Sequence, residues 1–370
     1  EWCDLLSNEY LNYVPRHWLQ YSPPTCDTHF VFAILYTIIA AIGLVGNGLI
    51  LWLFVSRKRL QTPTIMLSTN VALSDLLMNL KIPFVIYNSF NCRPSIGVTG
   101  CQLYGFIGGF AGTATIASIT AVTCERYYTI SRSAKCAIHP LSFKKSISII
   151  IAIWLYALTF SLPPLLGIVN RYVPEGFLTT CSFDYLSEDL ASKTFVFVFF
   201  VAAYVIPLCL IIFSYISIYA KTVRSAKLIR RYQKEVLNSN AAEIVKRSYA
   251  LTKLKLGKTT LCLIILWTLA WTPYAMVALF GLFGDRKYLS PTLSMIPALF
   301  CKCASIIDPF VYGTSNSKFR NEIKCLLKSR RETSETFNSS WKSSRTTSQS
   351  SSSKSIRFSK RIESKRETFV

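Results

Sequence analysis

Apolar residues in this chain gather into seven long runs, each broken by few polar positions and separated by short charged stretches. The runs extend approximately over Phe30–Val55, Thr64–Phe90, Gln102–Ile130, Ser146–Ile168, Thr194–Ala220, Leu256–Leu282 and Leu293–Gly313. Crossing about 30 Å of hydrocarbon takes roughly 20 helical residues, and every run is long enough. In lipid a lone strand would leave its backbone groups unpaired, so the pattern predicts seven membrane-spanning helices. Prolines fall inside several of them: Pro83, Pro163, Pro164, Pro207, Pro273, Pro297 and Pro309. Each would cost about 3 kcal/mol in a soluble helix, but neighbours and water satisfy the freed carbonyls of a packed bundle, so kinks are expected there. The expected fold class is an all-α membrane protein, a seven-helix bundle over residues 30–313. An outer segment (1–29) precedes it, and a short amphipathic cytoplasmic helix (314–330) and a disordered Ser-rich tail (331–370) follow.

Composition agrees with this reading. Apolar residues make up 51% of the 370 and charged residues only 16%, too greasy for an ordinary soluble enzyme of this length. Lys and Arg nevertheless exceed Asp and Glu by 41 to 19, a formal net charge of +22. Basic charge lying between apolar runs marks a membrane protein rather than a nucleic-acid binder, and no nucleic-acid partner is expected. Arg57, Lys58 and Arg59 occupy the first loop, Arg132, Lys135, Lys144 and Lys145 the third. The fifth loop, Lys221–Lys258, and the tail carry most of the remainder. That distribution puts these loops and the tail in the cytosol, against anionic lipid, and the N-terminus outside. The chain begins at Glu1 without a signal-peptide pattern, and the first span is expected to serve for targeting.

Cysteines divide by compartment. Cys3, Cys26, Cys92, Cys101 and Cys181 fall outside, where disulfides persist. By position Cys101 and Cys181 are the best pair, and the partners of Cys3, Cys26 and Cys92 stay open. Cys325 follows the amphipathic stretch Asn316–Leu327 and is a candidate for lipidation beside its reading as a free thiol.

An ionisable residue inside a span costs a few kcal/mol or more and is a functional candidate by default. Asp75 and Lys81 lie in the second span, Lys302 and Asp308 in the seventh, and Glu125-Arg126 at the inner end of the third. Gly46-Asn47, Leu73-Ser74-Asp75, Glu125-Arg126-Tyr127, Trp154, Pro207, Trp271-Thr272-Pro273 and Asp308-Pro309-Phe310-Val311-Tyr312 stand in order, one set per span. This series resembles the rhodopsin-like family of G-protein-coupled receptors.

The resemblance narrows at Lys302, seven residues before Pro309, where opsins attach 11-cis retinal covalently as a Schiff base. A lysine desolvated in an apolar pocket loses its proton readily and becomes a nucleophile toward an aldehyde. The string Ile296–Ala304 is similar to opsins, as are Trp271 and Tyr274, which the resemblance places against the polyene. Tyr104 occupies the position where vertebrate visual opsins carry the counter-ion glutamate, which is similar to rhabdomeric opsins. Glu175, six residues before Cys181, is then the implied counter-ion, folded over the pocket by the Cys101–Cys181 disulfide. Leu80–Asn91, with Lys81, is similar to arthropod ultraviolet-sensitive opsins, and Asp308-Pro309 matches that group. A second cation near the linkage disfavours its protonated form, which widens the absorption gap toward the ultraviolet.

The same resemblance implies a switch and its partners. Light isomerises the ligand and the sixth span swings outward near Pro273. Arg126, released from Glu125, then helps form a site for a heterotrimeric G protein of the Gq class, with Tyr215 and Tyr312 closing behind it. Asp75, Asp308 and Asn47 form the polar cluster between the two ends. After the seventh span Ser315-Asn316-Ser317-Lys318 departs from the His-Pro-Lys pattern of the rhabdomeric group. Serines and threonines of the tail are candidate phosphorylation sites for arrestin, and Glu367-Thr368-Phe369-Val370 has the shape of a PDZ-scaffold ligand. The expectation is a photoreceptor-membrane light receptor, not an enzyme, with a role in vision or in other light sensing left open. A retinal photoisomerase would share Lys302, and a diffusible-ligand receptor would share the fold.

Overall fold

The computed structural model describes residues 2–131, 141–235, 261, 265–315 and 318–328. Among them seven helices are long and apolar enough to cross a membrane: Cys26–Ser56, Pro63–Phe90, Gly97–Thr129, Phe143–Leu165, Leu190–Lys221, Ile265–Phe283 and Pro291–Val311. The second and seventh are the inner helices, 61% buried over their most apolar stretch, whereas the fourth and fifth are 22% and 17% buried there. Side chains such as Val45, Val55, Leu155, Phe213, Ile216, Leu269 and Phe283 point outward into what would be lipid.

The helix ends depart from the apolar runs for local reasons. The first begins at Cys26, where the Thr25 hydroxyl caps the Thr28 N–H at 3.4 Å. In the fifth, helix continues through Glu235, well past the end of the apolar run at Ala220, over a stretch rich in Lys and Arg. The start of the sixth run at Leu256 lies largely outside the described residues.

Two prolines disturb their helices in identifiable ways. Pro83 has no N–H for the Asn79 carbonyl, which accepts instead from the Lys81 N–H; the second span stops at Leu80 and resumes at Ile82. Lys81 occupies the break. Ahead of Pro207 the fifth span widens into a π-helical turn, Val201–Val205, and the Ala202 carbonyl accepts from the Tyr156 hydroxyl at 2.8 Å.

One end of the bundle is closed by two devices. A hairpin of β1 (Tyr172–Glu175) and β2 (Thr180–Phe183) pairs antiparallel, with Pro174 opposite Cys181 and Glu175 opposite Thr180. Its turn needs positive φ at Gly176 (58°), where a side chain would also run into Met295. Leu178 adopts the same region at 61°, and its buried side chain packs among Tyr10, Trp18 and Tyr185. The second device is the N-terminal segment. It folds as three short helices, Trp2–Leu5, Asn8–Tyr13 and Arg16–Leu19. Trp2, Leu6, Tyr10, Val14 and Trp18 pack as one apolar cluster against the hairpin and Val277, Leu282 and Leu289. Disulfides Cys26–Cys92 and Cys101–Cys181 tie this end together, which resolves two of the three cysteines left open by sequence.

Candidate functional site

Beneath the hairpin lies a cavity of about 130 Å³, walled mainly by the third, fifth and sixth spans. The Cys101–Cys181 bond joins the third span to β2, and this holds β1 and its Glu175 across the cavity mouth. Lys81, Glu175 and Lys302 all line it and are all buried.

Lys302 projects from the middle of the seventh span. Its Nζ donates to the Ala298 carbonyl at 2.5 Å and stands 5.6 Å from the ring centre of Tyr36. Lys81 leaves the break in the second span and crosses toward the third, its Nζ 4.3 Å from the ring centre of Tyr104. One turn further along, Gly108 makes room for it: a Cβ there would overlap Lys81 Nζ and sit 3.3 Å from Cε. Neither lysine makes an ion pair with Glu175 within 4 Å among the described residues.

Glu175 is held by hydroxyls. Its Oε2 accepts from Tyr274 at 3.0 Å and from Tyr185 at 3.2 Å. Ser182 Oγ lies 2.7 Å from the Tyr274 hydroxyl, and Ser294 Oγ 3.1 Å from that of Tyr185. Burial pushes the Glu175 carboxyl above its ordinary range, while the charge of Lys302, the two tyrosine hydroxyls and Lys81 pull it back. The Tyr185 phenol is raised in turn, by burial first and then by the Glu175 charge. Opposite this polar end the wall is aromatic. Trp271 stacks at 5.9 Å on Trp267, which stacks at 5.8 Å on Tyr204. Sequence reasoning had singled out Trp271, Tyr274 and Tyr104. It gives no site role to Tyr36, Trp267 and Tyr204, because aromatic residues at helical spacing read as plain core, nor to Ser182 and Tyr185, on and just after β2.

The cavity thus offers buried primary amines in a mainly apolar and aromatic lining. That combination suits an apolar ligand with a terminal aldehyde.

Away from the cavity, Asp75 and Asp308 are buried in the seam between the second and seventh spans, with Thr115 donating to Asp75 Oδ1 at 3.2 Å. Asn47 donates to the Ser305 carbonyl at 2.8 Å and Asn79 to Ser305 Oγ at 3.1 Å. At the far end Arg126 and Glu125 form an ion pair at 3.6 Å, and Thr64 and Thr129 donate to Glu125 Oε1. Tyr215 stacks on Tyr219 there, while the side chain of Tyr312 lies outside the described residues. Cys325 is exposed, with a free thiol, on the helix over residues 318–328. Thr368 and Val370, like the whole tail from 329, lie outside the described residues.

The profile described as "7 transmembrane receptor (rhodopsin family)" matches residues 46–312. The ultraviolet-sensitive opsin of Apis mellifera is 37% identical over 85% of this chain and 84% of its own length. Opsin Rh4 of Drosophila melanogaster is 34% identical over 85% and 82%. Among solved structures, the crystal structure of squid rhodopsin superposes with a TM-score of 0.79 at 29% identity, covering 85% of this chain and 89% of that one. A receptor profile across all seven spans, joined to opsin similarity along most of both chains, makes this a receptor rather than an enzyme: the chain belongs to the rhodopsin family of seven-transmembrane receptors and, within it, to the light-activated opsins.

Proposed function

We propose that this opsin carries 11-cis retinal covalently on Lys302, absorbs in the near ultraviolet and signals through a G protein of the Gq class. The observation that carries the proposal is the buried Lys302 amine at the polar end of an aromatic-walled cavity, with Glu175 laid across the mouth. Bound there, retinal supplies a conjugated chain whose shape changes on absorbing light. Everything else falls to the protein. Lys302 Nζ is the point of attachment, and the Ala298 carbonyl beside it accepts a hydrogen bond from that nitrogen. Glu175, oriented by Tyr185 and Tyr274, offsets a proton at that nitrogen. Lys81, held against Tyr104, is a second positive charge that opposes the same proton. Trp271 and Tyr274 form the wall that a straightened ligand would push.

Downstream, the Asp75–Asp308–Asn47 seam relays that push and the Glu125–Arg126 pair is the lock that opens onto the G protein. The orientation with the N-terminus outside and the basic fifth loop in the cytosol rests on charge distribution alone. So do residence in a photoreceptor membrane, arrestin binding to a phosphorylated tail, a lipid on Cys325 and a PDZ scaffold at Thr368–Val370 rest on sequence and resemblance. Tests are direct: 11-cis retinal is added in the dark to purified protein, and spectrum and light-dependent nucleotide exchange on Gq are recorded. A near-ultraviolet pigment that activates Gq is expected. Folded protein that forms no pigment rejects the retinal reading; a visible pigment rejects only the ultraviolet claim.

A further inference from the structure

Two buried primary amines share one cavity, and the reading above uses only one as an attachment point. Lys81 is placed there with some care. The second span breaks at this residue, so its side chain leaves the helix toward the third span rather than toward lipid. Tyr104 supplies a ring face for the amine at 4.3 Å, and the missing side chain of Gly108 supplies the space. A lysine that snorkelled outward would need neither. Both amines also line the same cavity as one buried carboxylate, Glu175 of the hairpin. The end of a ligand held near Glu175 is therefore within the neighbourhood of either nitrogen.

We propose that Lys81 is a second covalent attachment site for the retinal aldehyde, silent while Lys302 is occupied and used when Lys302 is absent. The inference rests on the retinal reading of this cavity. The lone pair of Lys81 Nζ adds to the aldehyde carbon; a carbon–nitrogen double bond forms and the carbonyl oxygen leaves as water with both amine hydrogens. No oxidant or reductant is needed. Neither amine is locked in an ion pair with a carboxylate within 4 Å among the described residues, and the unprotonated fraction of either is the nucleophile. Glu175 offsets one positive charge, and the two roles of Lys81 follow from that. With the ligand on Lys302, Lys81 carries the proton. With Lys302 removed, the linkage on Lys81 carries it, beside Glu175 and with no second cation.

The test is borohydride trapping and peptide mapping of wild type and Lys302→Ala after incubation with 11-cis retinal. Wild type should carry the retinyl group on Lys302, and Lys302→Ala should carry it on Lys81 and absorb at longer wavelength than wild type. Lys302→Ala/Lys81→Ala should carry none. Gly108→Ala, in the Lys302→Ala background, should cut Lys81 labelling about a hundredfold by displacing the amine. A wild-type adduct on Lys302 with no adduct on Lys302→Ala that keeps its thermal transition overturns the inference alone. No adduct on wild type instead overturns the retinal reading. Should Lys302→Ala not fold, wild type decides: propanal with cyanoborohydride, small enough to enter beside Lys302, should alkylate both lysines. Lys81 left unmodified overturns the proposal.

Discussion

With retinal on Lys302 as proposed, Lys81 and Glu175 would set opposite pulls on one proton, and their balance is a matter of a few kcal/mol. A like charge 5–6 Å away contributes about 3 kcal/mol at an effective dielectric of ~20, roughly two decades in a proton equilibrium. That is enough to decide whether the linkage nitrogen is protonated. Lys81→Ala is therefore expected to move the dark band from the near ultraviolet into the visible. Adding Glu175→Gln to that variant should return it toward the ultraviolet, whereas Glu175→Gln alone should change the wild-type band little. Dark spectra of the four proteins read this as a double-mutant cycle; a band that ignores Lys81 removes it from spectral tuning. Lys81, like Lys302, Asp75 and Asp308, was legible in the sequence because a lysine or an aspartate inside an apolar run violates its surroundings; Glu175 was reached only through the resemblance. Tyr36, Tyr185 and Ser182 violate nothing. Their part in the site comes from contacts between the hairpin and the spans, which no local pattern encodes.

Among the elements, the helices were legible and the cap was not. Seven apolar runs locate seven spans because lipid demands about 20 apolar residues from each. Where the solvent changes, that demand ends, so the polar extension of the fifth span to Glu235 and the early start of the first at Cys26 escaped the pattern. The N-terminal segment did contain a signal: Trp2, Leu6, Tyr10, Val14 and Trp18 recur every fourth residue. Ser7 and Pro15 interrupt it, so the sequence alone reads simply as an outer segment. Packed as it is, Trp18 is only 1% exposed. Trp18→Ala is expected to cost about 3–5 kcal/mol of local packing. Local opening of the cap rather than global unfolding should absorb that loss, so the readout is faster dark bleaching by hydroxylamine with a smaller change in the thermal midpoint. The Cys26–Cys92 bond, closing 66 residues, makes a separate contribution. Cys26→Ser should lower stability by about 2–4 kcal/mol in thermal melts, and an unchanged melt would show the tie to be redundant.

Across the whole molecule, the cavity lies toward the hairpin end and the proposed G-protein site at the other, so the fold has to pass on a change of shape. Packed cores transmit such changes because they have discrete alternative arrangements. The proposed route begins with Trp271 at the cavity wall and its stacked neighbours Trp267 and Tyr204, the last joined to Thr272 by a 2.5 Å hydrogen bond. It runs beside the Asp75–Asp308 seam and ends at Glu125 and Arg126. Arg126 is 15% exposed and Glu125 9%, so their pair is screened less than a surface pair, and Thr64 ties Glu125 to the second span as well. Glu125→Gln keeps the shape and both threonine hydrogen bonds but removes the charge that holds Arg126. If the pair favours the dark state by about 1.4 kcal/mol, its loss raises the active population tenfold. The expected outcome is a dark rate of nucleotide exchange about tenfold above wild type, with the rate in saturating light unchanged. A variant that leaves the dark rate where it was would place the lock elsewhere along the inner ends of the helices.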